Sequence, residues 1–218
     1  MPFYLPIIHP AALLRGQHQE EPAQVAYLER VAPFLAGTFV PPDVEEPPEG
    51  SLLAPTLAAL ERFDQEMHTG DIDCLSIDIE SAGNYIILVG ITLMGGVTSR
   101  LMGEGMPTIG MSLSLPFKTR LGERYWRSKE AHDEAVEYLG KWLSDHMYAK
   151  LFHNAAFDVV ELRETGFEVN GEILDTMVMQ HYCYPEMRKA LSYCATLYLG
   201  MPNWKMLLDE DDEKEGKG

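Results

Sequence analysis

At 218 residues and 24.5 kDa, with 46% apolar and 23% charged residues, the chain has a globular composition able to bury a sizeable core, which excludes wholesale disorder. No apolar run reaches the roughly 18 residues that cross a bilayer, and the opening Met-Pro-Phe-Tyr-Leu-Pro lacks the basic and long apolar regions of a secretory leader, so a cytoplasmic protein is expected. A net charge of −17 excludes a protein that grips nucleic acid mainly through a basic surface.

The first 70 residues read as peripheral. An apolar stretch from Phe3 to Ile8 ends at His9-Pro10, and Val25, Leu28, Val31 and Leu35 share one face of a helix predicted over about 22–35. The segment PPDVEEPPEG (41–50) reads as an extended acidic linker, because its four prolines remove amide donors and disfavour helix. A second helix is predicted from about Leu53 to His68, with Leu57, Leu60 and Phe63 on its apolar face and Gly70 to end it.

From Ile72 the pattern changes to α/β. Strands are predicted at about 72–79, 85–93 and 110–115, a helix at 129–146, a strand at 149–153, and helices at about 155–165, 174–184 and 189–199. The order implies a mixed sheet covered by helices, an α/β fold. Between the third strand and the next helix, Lys118 to Lys129 (KTRLGERYWRSK) carries five basic residues and one acid interleaved with Tyr125 and Trp126. Such a segment suits either a nucleic-acid backbone with an aromatic for base stacking, or a solvated loop. The closing DEDDEKEGKG (209–218) is acidic and apolar-free, hence disordered by composition. Cys74, Cys183 and Cys194 form no CxxC and no even-numbered framework, and read as ordinary buried thiols.

Three segments hold residues suited to chemistry. Asp78 and Glu80 stand two apart at the end of an apolar run, so on a strand both carboxylates project from one face. Such a pair either lies solvated where the strand meets a loop or is neutralised by a hard cation such as Mg²⁺ or Mn²⁺. In LFHNAAFDVVELRETG, Asn154 stands near the N-cap of a helix that carries Asp158 one turn on, among apolar Phe157, Val159 and Val160. That acid is either the solvent-facing residue of an amphipathic helix or a buried group that needs a partner. Asp175 opens the third segment, where an N-cap role is the expected one.

In this order and spacing the segments resemble the 3′–5′ exonuclease domain of family A DNA polymerases and RNase D, within the ribonuclease H-like DEDD superfamily. Asp78 and Glu80 match its DxE motif, Asn154 and Asp158 its NxxxD motif, and Asp175 to Met177 with KALSYCATLYLG its DTM and "YLG" helices, over about residues 71–208. The resemblance implies a ribonuclease H-like mixed sheet flanked by helices, and hydrolysis of phosphodiesters at single-stranded 3′ ends, DNA first, by a two-metal site of Mg²⁺ or Mn²⁺ on Asp78, Glu80 and Asp158. It also implies substrate contacts from Asn154 and Ser81, a role in DNA replication or proofreading, and a polymerase domain or subunit as partner. The family's third motif, YxxxD or HxxxD, finds no match: His181 and Tyr182 are followed four residues on by Pro185 and Glu186. The chain therefore reads as a fragment or a degenerate copy, and a non-catalytic nucleic-acid-binding or scaffold module is the alternative. Residues 3–36 resemble the C-terminal end of family 4 uracil-DNA glycosylases, with His9 in the place of that family's uracil-contacting histidine. Joined modules of this kind suggest a phage-like protein, working in the host cytoplasm.

Overall fold

The computed structural model describes residues 50–83, 85–100, 107–119 and 121–201, together with Val25, Glu29 and Ala36. Val25 and Glu29 are helical; the rest of the helix predicted over 22–35, His9, the acidic linker and the acidic tail lie outside the described residues. The chain divides into two compact units, residues 47–176 and residues 1–46 with 177–218.

The larger unit is an α/β sheet domain. Strands β1 (Ser51–Leu52), β2 (Cys74–Ala82), β3 (Tyr85–Gly95), β4 (Thr108–Pro116), β5 (Ala149–Phe152) and β6 (Ile173–Asp175) lie in the order β1-β4-β3-β2-β5-β6. The β2, β3 and β4 strands form an antiparallel meander, whereas β5 joins β2, β6 joins β5 and β1 joins β4 in parallel. This is the mixed sheet flanked by helices that the motif order implied. The meander follows from three apolar runs rich in β-branched residues, with Gly83 at φ 62 in the first turn, a conformation that favours glycine.

Helices α1 (Leu57–Thr69), α3 (Lys129–Ser144) and α4 (Ala155–Glu164) contribute to one large core, and a short helix α2 (Val97–Arg100) follows β3. Leu60, Phe63 and Met67 of α1, Leu139, Trp142 and Leu143 of α3, and Val159 and Leu162 of α4 share this core with Leu75, Ile77 and Ile79 of β2. The core thus reaches upstream of residue 71, since α1 and β1 belong to the sheet unit. Helix α1 starts later than the periodicity predicts, because Thr56 caps it by accepting from the Ala59 amide at 3.3 Å, while Ser51 and Leu52 pair with Ser112 and Leu113 of β4. Helix α3 begins where predicted, capped by Ser128, whose Oγ accepts from the Ala131 amide at 3.1 Å. Asp64 locks α1 to α3, accepting from the buried Trp142 indole at 2.9 Å and from Lys141 at 2.7 Å.

The opposite face of the sheet carries Cys74, Val97, Ala149 and Leu174 as a small apolar cluster. Further along this face Ser76, Asp78, Gly90, Thr92, Ser112 and Ser114 line an open cleft of about 260 Å³.

In the smaller unit, α5 (Thr176–Cys183, of which residues from Met177 onward belong here) and α6 (Leu191–Cys194) are followed by a π-helical turn over Ala195–Leu199. The single helix predicted over 174–184 is thus a strand followed by a helix, and the one over 189–199 starts two residues late. Gln180, buried, accepts from the Tyr198 hydroxyl at 2.7 Å. Cys74 is buried as expected, but Cys183 is exposed. Among the described residues no helix is long and apolar enough to cross a membrane.

Candidate active site

Strand β2 is the spine of the site. Its even-numbered residues alternate against Leu75, Ile77 and Ile79, which are buried in the main core, so Asp78 and Glu80 emerge together on the opposite face and are exposed. Asp78 pairs across the strands with Gly90 and Glu80 with Leu88. Past Glu80 the register slips: Ser81 pairs with Ile86, leaving Ile87 as a bulge whose carbonyl accepts from the Phe117 amide at 2.8 Å. Because Ser81 lies opposite Ile86, a residue of the main core, its side chain falls on the other face of the sheet from the two carboxylates. The substrate contact expected of Ser81 does not fit that placement.

Helix α4 supplies the other two candidates. Asn154 occupies its N-cap position with φ 80 and ψ 53, a left-handed conformation that asparagine tolerates better than most residues, and makes no side-chain capping bond. The capping is done instead from β6. Asp175 accepts from the Asn154 amide at 3.0 Å and from the Ala155 amide at 2.8 Å, satisfying two of the helix's orphan donors with a charge that suits the positive end of its dipole. Beside it, the Thr176 hydroxyl donates to the Phe152 carbonyl at 3.1 Å and lies 2.8 Å from His153 Nδ1. The strand β6 and this use of Asp175 escaped the sequence; the DTM match was the one pointer to them.

Helix α4 turns an acid inward together with Val159 and Leu162. Asp158 is 5% exposed, whereas Phe157 is 51% and Val160 50% exposed. Burial first, and then the negative charges of Asp78 and Asp175, push the Asp158 carboxyl up to about 6 from an ordinary 3.8. An acid buried among like charges gains nothing from its surroundings unless it is protonated or neutralised by a cation.

The structure therefore brings Asp158 into electrostatic contact with Asp78 and Asp175, with Glu80 on the same strand face as Asp78. These are hard oxygen donors with an excess of negative charge, the chemistry that suits Mg²⁺ or Mn²⁺. As placed, no three His, Cys, Asp or Glu side chains among the described residues are gathered closely enough to hold an ion.

The sequence matches no family model and no curated protein. Among solved structures, the chain is similar to the apo form of a nuclease, at TM-score 0.42 and 18% identity over 70% of this chain and 58% of that one. It is also similar to Brucella melitensis NrnC with bound Mg²⁺, at TM-score 0.40 and 17% identity over 62% of this chain and 57% of that one. A third similar structure is Trypanosoma brucei RNase D, at TM-score 0.39 and 20% identity over 59% of this chain and 38% of that one. The chain spans little more than half the length of the first two and well under half of the third.

Proposed function

We propose that the sheet unit is a metal-dependent 3′–5′ exonuclease domain acting on single-stranded 3′ ends, with DNA the leading substrate. The observation that carries this reading is the buried Asp158, turned inward beside Asp78 while Phe157 and Val160 face solvent. A fold that needed only stability would place Phe157 or Val160 there.

In this reading Asp78, Glu80 and Asp158 hold Mg²⁺ or Mn²⁺. A divalent cation, when bound, supplies Lewis acidity toward the phosphate and offsets the charge of an incoming polyanion. Asp78 and Glu80 present their oxygens from a strand paired with β3 at both positions and anchored to β5 just upstream, at Cys74 to Ser76, so their spacing is set before substrate arrives. Asp175 acts as a positioning residue, fixing the first turn of α4 and with it Asp158 and Asn154. Asn154 contacts the terminal nucleotide. Hydrolysis forms a bond from water oxygen to phosphorus and breaks the P–O3′ bond; the leaving 3′ oxygen gains a proton and a nucleoside 5′-monophosphate departs.

A second reading is a binding or scaffold module of the same fold without turnover. It is favoured by the lack, among the described residues, of three ligands gathered closely enough for an ion. Both readings meet in one experiment: a 5′-labelled single strand and a 3′-recessed duplex are incubated with Mg²⁺ or Mn²⁺, using the wild type, Asp78→Ala and an EDTA control. A ladder shortening from the 3′ end and lost in both controls supports the exonuclease. Folded wild-type protein that yields no ladder leaves the binding module.

A further inference from the structure

A second feature of the sheet unit lies around the β2–β3 hairpin from the carboxylates. Here Tyr85, Phe117, Lys118, Arg124, His132 and Phe167 are among the residues lining a cavity of about 670 Å³. Part of it is the basic segment that the sequence singled out, but rearranged. Lys118 and Arg124 pair as an antiparallel bridge, closed by a turn in which the Thr119 amide donates to the Glu123 carbonyl at 2.8 Å. Directly opposed residues of such a bridge project to the same side, and two like charges there repel.

No carboxylate forms an ion pair with either cation among the described residues. The nearby Asp133 is engaged by Lys129 at 2.8 Å. The aromatics of the segment are not free to stack on a base: Trp126 is buried in the main core, and half-buried Tyr125 donates its hydroxyl to the Pro55 carbonyl at 3.1 Å. The platform comes from β3 instead. Tyr85 is 65% exposed with Lys118 Nζ 4.6 Å from its ring centroid.

The cavity's inner wall is also unsatisfied. His132 Nδ1 is buried without a hydrogen-bond partner, its ring set edge-on to Phe117 at 5.8 Å between centroids. The other orphaned buried side-chain atoms among the described residues, Thr119 Oγ1 and Trp126 Nε1, belong to the same stretch of chain. A buried polar atom without a partner is costly, and His132 on the wall of this cavity marks a place where something polar is missing.

Paired cations, an exposed tyrosine ring, aromatic walls and a polar atom left without a partner are together complementary to a phosphate joined to an aromatic base. We propose that this cavity binds a nucleotide unit of single-stranded nucleic acid, Lys118 and Arg124 taking the phosphate and Tyr85 stacking on the base. The inference deepens the proposed function and rests on it for the identity of the strand. Tyr85 pairs with Ala82, two residues or roughly 7 Å past Glu80 along β2, while Phe117 and Phe167 belong to the main-core side of the sheet, so a strand held in the cavity reaches the carboxylates around the end of the hairpin. An acidic protein thereby gains a local cationic foothold that guides a polyanion to its acidic site.

The test is fluorescence anisotropy of a short 5′-fluorescein oligothymidylate in EDTA, where metal-dependent contacts are absent. It compares the wild type, Lys118→Glu/Arg124→Glu, Tyr85→Ala and, as a control cation outside the cavity, Lys141→Ala, each checked for folding by circular dichroism. The expected result is that the charge-reversal pair and Tyr85→Ala each weaken binding roughly tenfold or more, with Lys141→Ala unchanged. The charge-reversal pair should also flatten the slope of log K against log salt by about 0.7, the share of the one phosphate that the two cations take. Wild-type protein that binds no oligonucleotide, or folded variants that bind like the wild type, would overturn the assignment. Thymidine 5′-monophosphate competing as well as the oligonucleotide would overturn the strand in favour of a free nucleotide. Loss of binding in the pocket variants alone, from a protein that shows no metal-dependent turnover, would uphold the cavity and remove the exonuclease.

Discussion

Replacing Asp158 by asparagine should stabilise the metal-free protein at neutral pH, a result opposite in sign to most substitutions of buried residues. The carboxyl is held at about 6 in the folded chain against an ordinary 3.8. At roughly 1.4 kcal/mol per pH unit that displacement corresponds to about 3 kcal/mol of ionisation cost in the native state. The native carboxyl binds its proton more tightly than the unfolded one. Its contribution is therefore neutral below about pH 4, grows more unfavourable as the pH rises to about 6, and stays at its full cost above that. The asparagine side chain keeps the shape and loses the charge, so the difference in stability between variant and wild type should be near zero at about pH 4. At about pH 7.5 it should approach roughly 3 kcal/mol in favour of the variant. Urea unfolding followed by circular dichroism in EDTA at both pH values measures this directly, and other titrating groups cancel in the difference. Adding millimolar Mg²⁺ at neutral pH should then raise the midpoint of the wild type and not that of the variant, because the ion binds only the folded carboxylates. An Asp158→Asn protein less stable than the wild type at neutral pH, or a difference that does not change with pH, would refute the argument that this acid is buried at a cost for its chemistry.

The other carboxylates behave differently because they are exposed. Asp78→Ala and Glu80→Ala should each lower turnover of a 3′ end roughly a hundredfold or more while leaving Tm nearly unchanged, as measured by gel assay and thermal unfolding. Asp175→Ala removes the cap from two α4 amides and should cost about 1–2 kcal/mol in urea unfolding together with a fall in kcat; loss of stability without loss of kcat would confine it to a structural role. Asp64→Ala strands the buried Trp142 indole N–H and should cost about 1–3 kcal/mol while leaving kcat of the folded protein intact. Ser81→Ala should change turnover by less than about twofold, and a larger fall would mean that this side chain reaches the carboxylate face.

Much of the sheet was legible because its strands are continuous apolar runs with period-two burial, and α3 because Ser128 caps an amphipathic run. The short strands β1 and β6 were not. Two or three residues carry no measurable periodicity, and what makes them strands is hydrogen bonding to β4 and β5, partners far away in the chain. Proximity to Pro55 and the cap at Thr56 moved the start of α1 for a similar reason, since a few local residues outweighed an apolar pattern read over a longer window.

The candidate site divides along the same line. Sequence by itself determined that Asp78 and Glu80 share a face, because strand geometry alternates side chains whatever surrounds them, and that Asn154 begins a helix bearing Asp158. Only the tertiary structure decided that Asp158 turns inward while Phe157 and Val160 turn out, since a helix with apolar residues all round has no preferred face until a neighbouring strand supplies one. It likewise decided that Ser81 leaves the carboxylate face, that Asp175 caps a helix twenty residues upstream, and that the tyrosine beside Lys118 is Tyr85 rather than Tyr125. Periodicity is a property of consecutive residues; burial, capping across elements and charge clustering depend on which distant segments the sheet brings together.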